Sequence, residues 1–241
     1  MNIFITGTGT DVGKTFVTAG IAAVMQGLGY KTSIYKPVQT GCIEEEHALI
    51  APDLKFAQLM DSNINIKSTY NFINPVAPSL AAMLENVRIN KNDILMDYRD
   101  LCKKSDFVLV EGAGGILTPV CQNFLIRDMI KFLNLPVLIV ARPDLGTINH
   151  TLMTIEAARN FGIDIIGVVI SDYPENTDDI SIKTAPSIIT EISGINVLGV
   201  LPHINANISD SNFPELLIEE VLSTINIQEI FKINIPKLSY K

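Results

Sequence analysis

Cysteine, histidine and positive charge are all scarce in this chain. Of its 241 residues three are cysteines, Cys42, Cys102 and Cys121, scattered and odd in number. They form no Cys-x-x-Cys pair and show no metal-like spacing, which argues against a structural zinc site and suits reduced thiols packed as small hydrophobes. The three histidines, His47, His150 and His203, lie far apart in sequence, so no His-x-x-x-His pair exists. No serine or cysteine has a histidine in the context of a nucleophilic triad. Lysine and arginine number 18 against 26 acids, a formal net charge of −8. That balance argues against nucleic-acid and anionic-membrane partners, so any phosphate binding must come from a focused site. No apolar run approaches the roughly 20 residues that cross a bilayer. No basic segment followed by a long apolar stretch opens the chain, and a cytoplasmic location is the expectation. Internal repeats and low-complexity blocks are absent as well.

What is present is concentrated in residues 7–15, Gly7-Thr8-Gly9-Thr10-Asp11-Val12-Gly13-Lys14-Thr15. A short apolar strand, Ile3-Phe4-Ile5, runs into this stretch, and apolar residues at helical spacing (Val17, Ile21, Val24, Met25, Leu28) follow it. Strand, glycine loop, Gly13-Lys14-Thr15 and helix make the layout of a phosphate-binding loop. Its glycines let backbone N–H groups curl around phosphate oxygens at the positive end of a helix. Lys14 offers a full charge to the β- and γ-phosphates and Thr15 a hydroxyl to Mg²⁺. Lysine opposes the dipole at a helix N-terminus, which argues against a mere connecting turn. Five residues separate Gly7 from Gly13, where the usual loop has four.

Hydrophobic residues make up 47% of the chain and charged ones 18%, which suits one globular α/β domain. Short apolar runs at 2–6, 31–37, 106–111, 136–141, 164–171 and 197–201 read as central parallel strands. Helical patterns at 14–28, 53–61, 77–85, 91–103, 124–133, 147–161, 178–193 and 214–224 alternate with them. The alternation predicts a doubly wound, mainly parallel sheet of the phosphate-loop type, with the functional loops on the edge where the strands end. Residues 38–52 read as irregular, with Glu44-Glu45-Glu46 a solvated face, and a loose tail is expected after residue 230.

Several polar residues fall just past predicted strand ends, on the edge that carries the loop. Lys36 closes the second strand in Tyr35-Lys36-Pro37-Val38-Gln39-Thr40-Gly41, where it can supply charge to a transferring phosphoryl group. Glu111 closes the strand Phe107–Val110 and leads into Gly112-Ala113-Gly114-Gly115. An acid there fits the second acidic element that helps hold Mg²⁺ in phosphate-loop enzymes. Asp53 follows Pro52 at a helix start, where it serves either as a first-turn acid or, with Thr15 and Glu111, in a hard-oxygen shell for Mg²⁺. The chemistry these residues point to is phosphoryl transfer to a bound acceptor.

These blocks, with Thr118-Pro119, Leu145-Gly146-Thr147-Ile148-Asn149-His150 and Gly199-Val200-Leu201-Pro202, resemble the dethiobiotin synthetase family, ATP-dependent cyclo-ligases of biotin synthesis. The five-residue gap in the loop is the family's form, and the blocks recur in its order to about residue 202. The resemblance implies ATP as co-substrate, Mg²⁺, 7,8-diaminopelargonate and CO₂ as substrates, and a homodimer. It implies Lys14 and Lys36 as catalytic charges and Thr15, Asp53 and Glu111 as the Mg²⁺ set. Nucleotide contacts fall to Asp11, Val12, Gly13, Lys14, Thr15, Phe16, Gly112, Ala113 and Gly114, and at the base to Ser171, Asp172, Pro202, His203 and Ile204. Thr40 meets the diamine, and Gly146 and Asn149 meet the substrate's tail across the dimer interface. Ser171 stands where the family has an Asn that reads adenine, and a serine cannot make that bidentate contact, so weaker discrimination among nucleoside triphosphates is the expectation. Asp11 stands where Glu is common. The alternatives are a partition-type ATPase switch, whose loop usually carries an extra lysine that residues 7–12 lack, and an ATP-dependent amide ligase, which adds a glutaminase domain.

Overall fold

A computed structural model of the chain describes residues 1–46 and 48–234. Eleven strands and nine helices run through the described residues in this order: β1 (Ile3–Gly7), α1 (Lys14–Gly27), β2 (Thr32–Gln39), β3 (Ile43–Glu45), β4 (Ala48–Ile50), α2 (Pro52–Met60) and β5 (Asn65–Asn71). Then come α3 (Pro78–Leu84), α4 (Lys91–Cys102), β6 (Phe107–Gly115), β7 (Pro119–Cys121), β8 (Phe124–Leu125), α5 (Ile126–Leu133) and β9 (Val137–Ala141). The chain continues through α6 (Thr147–Asn160), β10 (Ile165–Tyr173), α7 (Ile180–Ser193), β11 (Val197–Pro202), α8 (Phe213–Thr224) and α9 (Ile227–Phe231).

Seven strands form one sheet in the order β11-β10-β9-β1-β6-β2-β5, every neighbouring pair parallel. The central strands are apolar on both faces because both faces are covered. In β1, Ile3 and Ile5 enter the layer built by α1, α2, α8 and α9. Phe4, between them, enters the opposite layer with α3 to α7. This period-2 division of one continuous apolar run produces the doubly wound fold.

Register explains where the site lies. Val110 pairs with Phe4 on one side and with Tyr35 on the other. Lys36 and Glu111 therefore stand one residue past the same row. Both lie inside their strands, since β2 runs on to Gln39 and β6 to Gly115, beyond the ends the apolar pattern predicts. Proline is tolerated within β2 because its ladder with β6 ends at Tyr35, before Pro37.

Several elements, among them β7 and α9, depart from the sequence-based expectation. Strand β5 carries Asn65, Lys67, Ser68 and Asn71 and sits at the sheet edge, half exposed, so it lacks the apolar run that marks central strands. The stretch 38–52 is not simply irregular: it holds the end of β2 and the antiparallel hairpin β3–β4, whose Glu44, Glu45 and Glu46 are exposed. Helix α5 starts at Ile126 rather than 124 because Phe124 and Leu125 pair with β7. Beyond residue 230, Phe231 is buried and Ile233 packs against the core; residues 235–241 of the expected tail lie outside the described residues.

Candidate active site

The loop after β1 leads directly into α1, whose N-cap Gly13 has φ 87. A side chain there would be strained by that angle, and its Cβ would overlap the hydroxyl of Ser171. Asp11 also takes a left-handed φ, of 53, so the arch contains a strained non-glycine residue at its exposed tip. The Val12 side chain is 4% exposed and belongs to the core under the loop, where it anchors the arch.

Lys14, at the first turn of α1, is buried and donates to Gly9 O at 2.8 Å. Burial, and then the positive charge of Lys36, lower its pKa to about 8, against partial compensation from Glu111, Asp53 and Asp11. Lys36 is more deeply buried and fully paired. Its Nζ lies 2.6 Å from Glu111 Oε1 and 2.5 Å from Asp53 Oδ2, and it donates to Gly112 O at 3.4 Å. Burial opposes this charge, but Glu111 and Asp53 more than offset it and hold the ammonium above the usual lysine range. Burial likewise disfavours the Asp53 carboxylate, and Lys36 reverses that effect and holds it below its usual value. The Asp53 side chain therefore turns to the lysine and makes no helix-capping bond.

Thr15 Oγ1 donates to the same Glu111 Oε1 at 3.1 Å. Lys36, Glu111, Asp53 and Thr15, far apart in sequence, thus form one connected cluster beside Lys14. Two carboxylates and a hydroxyl form a hard-oxygen set, and Mg²⁺ characteristically leaves its other positions to water and phosphate oxygens. Among the described residues no group of three or more His, Cys, Asp or Glu gathers as a metal centre by itself.

A cavity of about 1370 Å³ joins these groups to two flanking regions. On the β2–β6 side its wall includes Lys36, Thr40, Asp53, Glu111, Ala113 and Gly114. In the middle are Asp11, Gly13, Lys14, Thr15 and Phe16. On the β10–β11 side are Ser171, Asp172, Pro202, His203 and Ile204. Ser171 is 2% exposed and packed against Gly13. Asp172 Oδ1 and His203 Nδ1 lie 2.6 Å apart at the exposed rim. Gly112 contributes its carbonyl to Lys36 without lining the cavity. Gly146, the N-cap of α6 with φ 98, and the exposed Asn149 also lie outside this wall.

The cavity contains residues that sequence reasoning did not single out. Gln39, 4% exposed, donates to Thr40 O at 3.0 Å and hydrogen-bonds Asp53. Phe16, Phe56 and Phe213 form an aromatic wall, with ring centroids 4.8 to 6.1 Å apart. Phe56 was findable, because it lies three residues after Asp53 on α2 and so shares its face. Phe213, from the far end of the chain, carries no such local signal.

Comparison with known proteins gives consistent findings. The family model described as an AAA domain matches residues 1–209. The ATP-dependent dethiobiotin synthetase BioD of Thermodesulfovibrio yellowstonii is 36% identical over 211 residues, covering 83% of this chain and 88% of that one. Its counterpart in Bacillus velezensis is 33% identical over 234 residues, covering 95% and 98%. Among solved structures, the MinC:MinD cell division complex of Aquifex aeolicus aligns with a TM-score of 0.58 at 14% identity, covering 100% of this chain and 99% of that chain. The cell division ATPase MinD of Pyrococcus furiosus aligns at 0.57 and 15%, covering 92% and 99%. At those identities the likeness shows the phosphate-loop fold alone. The full-length sequence relatives show more, and the chain belongs to the ATP-dependent dethiobiotin synthetase family.

Proposed function

We propose that this enzyme closes 7,8-diaminopelargonate and CO₂ to dethiobiotin at the expense of ATP, releasing ADP and phosphate. The observation that carries the proposal is the buried Lys36, held between Glu111 and Asp53 in the same cavity as the phosphate-loop Lys14. One amine of the substrate takes up CO₂ as a carbamate. A carbamate oxygen attacks the γ-phosphorus, ADP leaves, and a carbamic–phosphoric anhydride forms. The second amine then attacks the carbonyl carbon, expels phosphate and closes the cyclic urea.

The strand order supports one orientation of the nucleotide. The charged cluster lies on the β2–β6 side of β1, and the Ser171–His203 wall lies on the β10–β11 side. The γ-phosphate points to the cluster and the base to the opposite wall. Lys14 and Lys36 stabilise charge on the transferring phosphoryl group and the carbamate. Thr15, Asp53 and Glu111 hold Mg²⁺, which when bound neutralises phosphate charge. Thr40 and the backbone near Gly114 orient the diamine. Asp11, Gly13 and Phe16 flank the phosphates and ribose, with Ala113 opposite them. The substrate's carboxylate tail meets Gly146 of the partner subunit and Asn149 of the partner subunit in a homodimer. Leu145, 88% exposed, and Met153, 59% exposed, flank that segment and suit a covered surface.

The direct assay supplies diamine, bicarbonate, Mg²⁺ and ATP and measures dethiobiotin and phosphate. Phosphate release is expected to require the diamine, and release independent of it would overturn the proposal. In the same assay Lys36→Met is expected to lower kcat by roughly 10²- to 10³-fold while MgADP affinity changes little; near-normal turnover would remove Lys36 from the mechanism. With Ser171 buried against Gly13, no side-chain amide at that position reads the base edge. Rates with CTP and GTP are expected to be comparable to those with ATP, and strong discrimination against both would contradict this. Lys14 carries its proton below about pH 8 and loses it above, so MgADP affinity is expected to be full below pH 8 and to fall through it. In Lys14→Met the affinity is weak and flat with pH; a flat wild-type profile would contradict the assignment. For folding the sign is opposite. An unfolded lysine keeps its proton to about 10.5, so the unfolded state binds more protons between about 8 and 10.5 and this group's contribution to stability rises there.

A further inference from the structure

We propose that Arg142 is a positioning residue for the lengthened phosphate loop, acting from outside the cavity. The arch between Gly7 and Gly13 holds one residue more than usual, and the strained φ of Asp11 lies at its tip. Besides the packing of Val12, three hydrogen bonds hold the arch. Thr8 N donates to Val140 O at 2.9 Å, Lys14 Nζ donates to Gly9 O at 2.8 Å, and Arg142 Nη2 donates to Thr10 O at 2.8 Å. The Gly9 contact is made by the very lysine a phosphate recruits. The Thr10 contact is made by a residue that does not itself line the cavity.

The mount of Arg142 is rigid. It follows Ala141, a fully buried residue at the end of β9, and precedes the buried Pro143. Thr147 Oγ1 donates to the Arg142 carbonyl at 2.5 Å. Among the described residues no ion pair includes Arg142, although its side chain is exposed and acids outnumber bases in the chain. An exposed arginine costs rotamer entropy to hold in one geometry. Here that geometry is spent on a single backbone carbonyl next to the strained residue, a charge-assisted bond of the stronger kind. Arg142 thereby keeps the arch in the shape that aims its N–H groups at phosphate. The inference rests on the reading of the cavity as a nucleotide site.

The test uses the full chain, with MgADP binding measured by titration for wild type, Arg142→Gln and Arg142→Lys. Arg142→Gln is expected to bind MgADP roughly tenfold more weakly. Arg142→Lys, which can still donate to Thr10 O, recovers most of that loss. The nucleotide KM rises in parallel in Arg142→Gln, while the diamine KM and the thermal midpoint stay at wild-type values. If wild type binds MgADP and Arg142→Gln binds it equally well, the role of Arg142 is overturned and the nucleotide site stands. A diamine KM or thermal midpoint that shifts along with the nucleotide marks a general structural loss and also overturns it. If wild type binds no MgADP, the nucleotide reading falls and the inference falls with it.

Discussion

The ammonium of Lys36, buried between Glu111 and Asp53, is the constraint around which the functional end of this molecule is organised. A buried lysine without partners would shed its proton, and a buried glutamate alone would take one up. With Glu111 at 2.6 Å and Asp53 on its other side, the lysine keeps its charge. Removing one partner of such a pair costs about 3–5 kcal/mol because the other charge is stranded. The arrangement requires β2 and β6 to be in a register that places Lys36 and Glu111 one step past the same row. It also requires α2 to start where Asp53 can reach. Sheet register, helix entry and site electrostatics are therefore one problem with one solution.

The same cluster gives the cavity its direction. Lys14 and Thr15 alone would mark only a phosphate site. Placed against Glu111 and Lys36, they distinguish the two sides of the loop, one charged and one lined by Ser171 and Pro202 with the Asp172–His203 pair at the rim. On the proposed function the polyphosphate runs between these ends, and its reacting phosphorus faces the side where a second substrate near Thr40 and Gly114 can reach it. Charge is supplied by fixed side chains in a low-dielectric pocket, where it is worth most to a transition state.

Much of this was legible in the sequence, and the gaps have physical causes. Six of the seven strands of the main sheet announce themselves by continuous apolar runs such as Phe107–Val110, because both faces of the sheet are covered. Strand β5 is half exposed along its length, and its polar residues hid it. The strand ends were read too short at Lys36 and Glu111, because a charged residue inside a strand looks like its end until its partner is known. The phosphate loop is local chemistry and can be read directly. The approach of Asp53 to Lys36, the packing of Phe213 and the contact of Arg142 with Thr10 depend on tertiary placement and leave no periodic trace. Gly146 and Asn149 lie outside the cavity of the single chain.

The central claim is that the cavity aims the γ-phosphate of ATP at an oxygen that entered as CO₂. Oxygen tracing tests this directly: ¹⁸O-labelled CO₂ is supplied with diamine, Mg²⁺ and ATP in unlabelled water, before exchange is complete, and the released phosphate is weighed by mass spectrometry. Attack by the carbamate oxygen followed by ring closure predicts one labelled oxygen in the phosphate for each dethiobiotin formed. Phosphate without label, alongside normal dethiobiotin formation, would contradict the account.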